Sequence, residues 1–112
     1  HCSLMCDAAD KLAEQLAATD IQAPAIPVYH NLDAAPRSTA DEIRVALREQ
    51  LFKPVRWTQT IRALHAAGIG AYFECGPGSV LAGLNKRIVD GLQSQALEDP
   101  AALVAALSLA RQ

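Results

Sequence analysis

A chain of 112 residues with 51% hydrophobic side chains can close one small core, and with aromatics at 4% that core falls to Leu, Ile, Val and Ala carried on helices. Ten basic against twelve acidic side chains leave a net charge of -2, and no run of Lys or Arg could track phosphates, which argues against a nucleic-acid partner. No apolar run approaches the roughly 18 to 20 residues of a membrane span, which argues against a membrane partner as well.

The chain opens on His1-Cys2-Ser3-Leu4-Met5 without an initiator methionine, so it reads as a piece of a longer protein. Residues 4 to 18 set Met5, Ala8, Ala9, Leu12 and Leu16 on one face, with Asp7, Asp10, Lys11 and Glu14 largely elsewhere, the pattern of an amphipathic helix. Pro24 and Pro27 bracket a short segment in which Ile26, Val28 and Tyr29 are expected to form a brief buried strand ending near His30-Asn31. Residues 32 to 38 then form a loop.

Thr39 with Glu42 three residues on is a capping-box pattern, and Ile43, Ala46, Leu47 and Leu51 supply the apolar face of the helix it starts. Pro54 interrupts. A further helix from about Val55 to Ala67 buries Trp57, Ile61 and Leu64 and stops at Gly68. The run from Gly70 to Gly76 reads as a strand, followed by the turn Gly76-Pro77-Gly78 and a helix through about Val89 with Ser79 as its cap. A weak strand near Gln95 to Leu97 leads to Asp99 as N-cap and Pro100 as first residue of a last Ala/Leu helix. The alternation predicts an α/β fold, a parallel sheet with helices on both faces and one edge open.

Few residues invite chemistry when taken singly. Gly76-Pro77-Gly78-Ser79 at a strand-to-helix turn could cradle a phosphate, but it lacks the third glycine of a dinucleotide fingerprint and the Gly-Lys-Ser/Thr ending of a P-loop, so a structural turn is the better reading. Ser79 is not flanked as Gly-x-Ser-x-Gly and suits a helix cap better than a nucleophile. His1, Cys2 and Cys6 lack paired metal-ligand spacing, so no metal is expected. An odd number of cysteines without a secretory signal favours reduced thiols and a cytoplasmic setting. His65 sits late on a helix, where the dipole favours it; His30, at a strand end, stays ambiguous. A histidine just ahead of a helix, as at position 1, can exchange protons and act as a general base, although a lone histidine taken by itself is more often a surface residue.

Read together, the motifs say more. His1-Cys-Ser-Leu-Met5, Ala23-Pro24, Pro27-Val28, Asn31-Leu-Asp33, Leu51 with Pro54-Val-Arg-Trp57, and Glu74-Cys-Gly-Pro-Gly-Ser-Val-Leu81 with Lys86-Arg87-Ile88 form a series that resembles the C-terminal part of the malonyl-CoA:acyl carrier protein transacylase family, from residue 1 to about residue 109. The resemblance implies that residues 1–112 are the C-terminal portion of the larger, hydrolase-like subdomain, with the nucleophile region and the ferredoxin-like subdomain in the N-terminal part of the same enzyme. It implies transfer of a malonyl group from coenzyme A to the phosphopantetheine thiol of acyl carrier protein through a malonyl-serine ester, in fatty acid biosynthesis and without a cofactor.

By the same resemblance His1 is the general base and acid, and Gln50 is the residue whose backbone carbonyl orients it, in place of the carboxylate of a Ser-His-Asp triad. Lys86 and Arg87 are candidates for contact with the acidic carrier protein. No Gly-x-Ser-x-Gly occurs, so this chain alone is expected to be inactive, and the residues that select the acyl group lie outside it. Two alternatives stay open: a non-catalytic α/β binding fragment, and an acyltransferase domain of a polyketide-type synthase.

Overall fold

The computed structural model describes all residues from His1 to Gln112 and divides the chain into two compact units, His1–Thr60 and Ile61–Gln112, the boundary falling inside a helix. In the first unit Cys2 leads into a single 3-10 turn, Ser3–Met5, which runs on into helix α1, Cys6–Ala17. Helix α2 covers Ala40–Glu49, and α3, Trp57–Ala66, crosses the unit boundary. The expected face of α1 is only partly covered: Ala9 is fully buried, Leu12 and Leu16 are half-buried, and Ala8 and Met5 are exposed.

Both halves of the capping box at α2 are present. The Thr39 hydroxyl accepts from the Glu42 N–H at 3.3 Å, and the Glu42 carboxylate accepts from the Thr39 N–H at 3.3 Å, so two of the donors a helix start leaves unpaired are satisfied locally. These bonds also hold the Glu42 carboxyl below its usual range.

The segment after Pro27 departs from the expected buried strand. Only Tyr29–His30 (β1) is extended in a sheet, and it pairs antiparallel with Ala35–Pro36 (β2), inside the stretch expected to be loop. Ile26 is 76% exposed and Val28 53%, because the strand starts after them and nothing covers them. A four-residue connection ending on Ala34 in the left-handed region (φ 59°) closes the hairpin, with the Ala34 N–H bonded to the His30 carbonyl at 2.9 Å. Arg37 fastens it: its guanidinium pairs with the Asp33 carboxylate and donates to the Ala35 carbonyl at 3.3 Å.

The second unit contains the parallel α/β unit. Strands β3 (Ala71–Glu74) and β4 (Gln93–Ala96) lie parallel in the register Tyr72 to Ser94 and Phe73 to Gln95, joined by helix α4 (Val80–Ile88) as the crossover a parallel pair requires. Ser94 and Gln95 are neighbours on a strand and so face opposite sides of the sheet. The buried Ser94 hydroxyl accepts from Asn85 of α4 at 3.1 Å, while the Gln95 amide donates to the Ala102 carbonyl of helix α5 (Pro100–Ala110) at 3.3 Å. The two helices therefore cover the two faces, which is the α/β arrangement with helices on both sides.

Caps in this unit divide in an instructive way. Asp99 accepts from the Ala102 N–H at 2.8 Å with Pro100 at the first helical position, as the Asp-Pro pair predicts. Ser79 does not cap α4 with its side chain. The Glu74 carboxylate, from the end of β3, instead accepts from the Ala82 N–H at 2.7 Å, reaching across the Gly76-Pro77-Gly78 turn. Gly76 (φ 120°) and Gly78 (φ 97°) both take conformations that a side chain would strain, which lets the chain reverse in so few residues.

Candidate active site

The site is built from two helix ends within the first unit. A helix C-terminus leaves its last carbonyls without intrahelical partners, and Gln50 is the C-cap of α2, with backbone angles still helical (φ -63°, ψ -18°). The carbonyls just before it are used: Ala46 accepts from Gln50, Arg48 from Leu51, and Glu49 from Phe52 and Lys53. In a continued helix the Gln50 carbonyl would accept from residue 54, but that residue is Pro54, which has no N–H. The sequence thus leaves the Gln50 carbonyl without its intrahelical donor.

His1 takes that donor's place. Its Nδ1 lies 2.5 Å from the Gln50 carbonyl oxygen, although 49 residues separate the two in the chain. A carbonyl can only accept, so Nδ1 must carry the proton, and in the neutral ring the lone pair is then on Nε2. The ring is exposed, so Nε2 can meet a proton donor or acceptor on a reacting group. A neutral carbonyl fixes the tautomer and orientation as a carboxylate would, without adding a negative charge.

Lys86 and Arg87 lie in the last turn of α4, in the second unit, both exposed and both complementing the negative end of the helix dipole. The structure thus brings His1 and Gln50 together in one unit and sets the two basic residues on the other. No group of three or more His, Cys, Asp or Glu side chains gathers where it could hold a metal ion, and Cys2, Cys6 and Cys75 are free thiols. No helix is long and apolar enough to cross a membrane.

His30, ambiguous in the sequence, is a buried residue of the hairpin: burial, and then the Arg37 guanidinium, lower its pKa below the ordinary value, while Asp33 acts in the opposite sense. The Arg37 hydrogen bond in turn holds the Asp33 carboxyl below its usual range. An open hollow of about 430 Å³ lies nearby, lined by Pro24, Pro27, Arg37, Ser38 and Glu42 among others. Its two charged side chains are already paired or engaged in the cap, and neither His1 nor Gln50 lines it.

Sequence reasoning did not find the contacts that hold the two helices of the site to each other. Arg44 and Arg48 of α2 reach α1, the first to the Leu16 and Thr19 carbonyls at 2.9 Å each and the second to Asp10 at 2.7 Å. Their i, i+4 spacing on one helix face was the only local signal. For Gln50 a local signal did exist, in the proline four residues later.

No protein-family model matches the chain. It is 49% identical over 109 residues to the malonyl CoA-acyl carrier protein transacylase of Escherichia coli, a match that takes in 97% of this chain and 35% of that protein. Among solved structures, an acyl carrier protein S-malonyltransferase from Vibrio cholerae superposes with a TM-score of 0.89 at 46% identity, over 94% of this chain and 34% of the other. A malonyl-transacylase solved in complex with a type II polyketide synthase acyl-carrier protein superposes with a TM-score of 0.93 at 46% identity, over 97% of this chain and 35% of the other. The chain thus spans about one third of the length of the curated relatives it matches, and corresponds to their C-terminal part.

Proposed function

We propose that residues 1–112 are the C-terminal portion of the larger subdomain of an acyltransferase that moves a malonyl group from coenzyme A to the phosphopantetheine thiol of acyl carrier protein, with His1 as its general base and acid. The observation that carries this reading is the bond from His1 Nδ1–H to the Gln50 carbonyl in a chain similar to transacylases over nearly all its length. It leaves Nε2 as the basic atom, and proton transfer by such a positioned imidazole contributes about 10² to 10⁴-fold in rate.

In the first half-reaction Nε2 takes the hydroxyl proton of a serine supplied by the rest of the enzyme as its oxygen attacks the malonyl thioester. The resulting imidazolium is stabilised through Nδ1–H by the Gln50 carbonyl, and it returns the proton to the sulfur of departing coenzyme A. In the second half the phosphopantetheine thiol gives its proton to Nε2 and its sulfur attacks the malonyl-serine ester; the proton then goes back to the serine oxygen. The thioester supplies the chemical activation, so no cofactor enters. Because the Gln50 carbonyl is neutral, it places no full negative charge near the malonyl carboxylate. Lys86 and Arg87, exposed on α4, are suited to steer an acidic carrier protein, and free thiols fit a cytoplasmic setting.

The test is transfer itself. The intact gene product that contains these residues, incubated with malonyl-CoA and holo acyl carrier protein, is expected to yield malonylated carrier by intact mass. His1→Ala is expected to lower kcat by about 10³-fold. Absence of transfer by a folded wild-type protein would favour a non-catalytic binding role, and wild-type rates in the His1→Ala variant would remove His1 from the mechanism.

A further inference from the structure

The bond from His1 to Gln50 joins the leading end of α1 to the trailing end of α2, so its length depends on how far one helix has slid along the other. The contacts pair Arg44 with Leu16 and Thr19, Arg48 with Asp10, and Gln50 with His1, rising along α2 while falling along α1, so the helices run antiparallel. A slide of one helical turn, about 5.4 Å along the axis, takes a 2.5 Å contact out of hydrogen-bond range. The most buried residues of the two helices are Ala9 and Ala46, whose single methyl groups form only shallow ridges and resist sliding poorly. Directional polar contacts therefore join the half-buried Leu12, Leu16, Ile43 and Leu47 in setting the register.

Two arginines are available, and exposure decides between them. Asp10 and Arg48 form an ion pair whose side chains are 63% and 40% exposed, and such pairs contribute little in water. Arg44 is 27% exposed and makes three bonds: Nε to the Leu16 carbonyl at 2.9 Å, Nη2 to the Thr19 carbonyl at 2.9 Å, and Nη1 to Asp41 at 3.0 Å. A planar guanidinium held at the Leu16 carbonyl in the last turn of α1 and at the Thr19 carbonyl just past it cannot follow an axial slide without breaking bonds, while the pair with Asp41, whose side chain is 96% exposed, adds little.

We propose that Arg44 is a positioning residue for the His1–Gln50 pair: by gripping the C-terminal carbonyls of α1 it fixes the register of α1 on α2 and so keeps the imidazole within reach of the Gln50 carbonyl. Arg44 touches no reacting atom and acts through His1. The inference rests on the proposed function for its catalytic consequence but not for its structural one, and two readouts separate them.

In the intact gene product labelled with 15N-histidine, the His1 ring, assigned by its loss in His1→Gln, is expected to show a protonated Nδ1 in the wild type and a mixture of tautomers in Arg44→Ala. Malonyl transfer by Arg44→Ala is expected to fall about tenfold in kcat, with KM for malonyl-CoA changed by less than about twofold, the scale of a slightly misplaced group. Arg44→Lys, which offers a single point donor, should recover part of the loss and stands in if the alanine variant does not fold. A wild-type His1 spectrum in a folded Arg44 variant would overturn the inference, as would a loss confined to KM. Absence of transfer by the wild type, with the tautomer shift still present, would defeat the functional reading and leave the positioning role standing.

Discussion

Replacing Glu74 by alanine removes the acceptor that caps α4 from outside the helix. The carboxylate takes a 2.7 Å bond from Ala82, the third residue of the helix, while the hydroxyl of Ser79 at the N-cap position takes none. Loss of a capping side chain costs about 0.5 to 2 kcal/mol, and a negative charge at a helix N-terminus adds about 0.3 to 1 kcal/mol. Glu74 is half-buried, so solvent screens that charge only in part. The expected cost of Glu74→Ala is therefore about 1.5 kcal/mol. Glu74→Gln keeps an oxygen acceptor and loses the charge, for about 0.5 kcal/mol. Ser79→Ala, which would cost about 1 kcal/mol if the hydroxyl were the cap, is expected to change stability by less than about 0.3 kcal/mol. Urea unfolding of the intact gene product followed by circular dichroism gives all three from shifts in midpoint at constant slope. A Ser79→Ala variant less stable than Glu74→Ala would refute the assignment of the cap.

Two further outcomes follow from the first unit. The partner of His1 is main chain, so Gln50→Ala should lower kcat for malonyl transfer by less than about threefold where His1→Ala costs about 10³-fold; equal losses, measured by carrier malonylation, would show that the Gln50 side chain carries the function. The hairpin predicts a pH dependence: burial and Arg37 lower the His30 pKa below its ordinary 6.5, so the unfolded chain binds the proton more readily than the folded one. His30 thus contributes stability that is full above about pH 6.5 and is lost as the pH falls below it. The fall in Tm between pH 7.5 and 5.5, read by differential scanning calorimetry, should be smaller in His30→Asn, and an unchanged fall would contradict a buried neutral imidazole.

The sequence by itself determined what is local. Thr39-x-x-Glu42 and Asp99-Pro100 start their helices as written, because each cap completes its bonds within three or four residues. The parallel α/β class was legible because strand, glycine turn, helix and strand follow one another within residues 71 to 96. Motif order along the chain marked His1 and Gln50, and the proline at position 54 carries the reason that the Gln50 carbonyl stays free.

Only the tertiary structure decided the rest. Tyr29–His30 pairs with Ala35–Pro36 and leaves Ile26 and Val28 in solvent, since apolar β-branched residues mark an extended segment without naming its partner. Glu74 rather than Ser79 caps α4, because a carboxylate eight residues away in sequence is brought by the strand and glycine turn to the donor that the nearer hydroxyl misses. Arg44 finds Leu16 across 28 residues and Arg48 finds Asp10 across 38. Periodicity and capping record the energies of neighbours in the chain; bonds between distant residues are chosen by the packing of whole helices, which no local pattern contains.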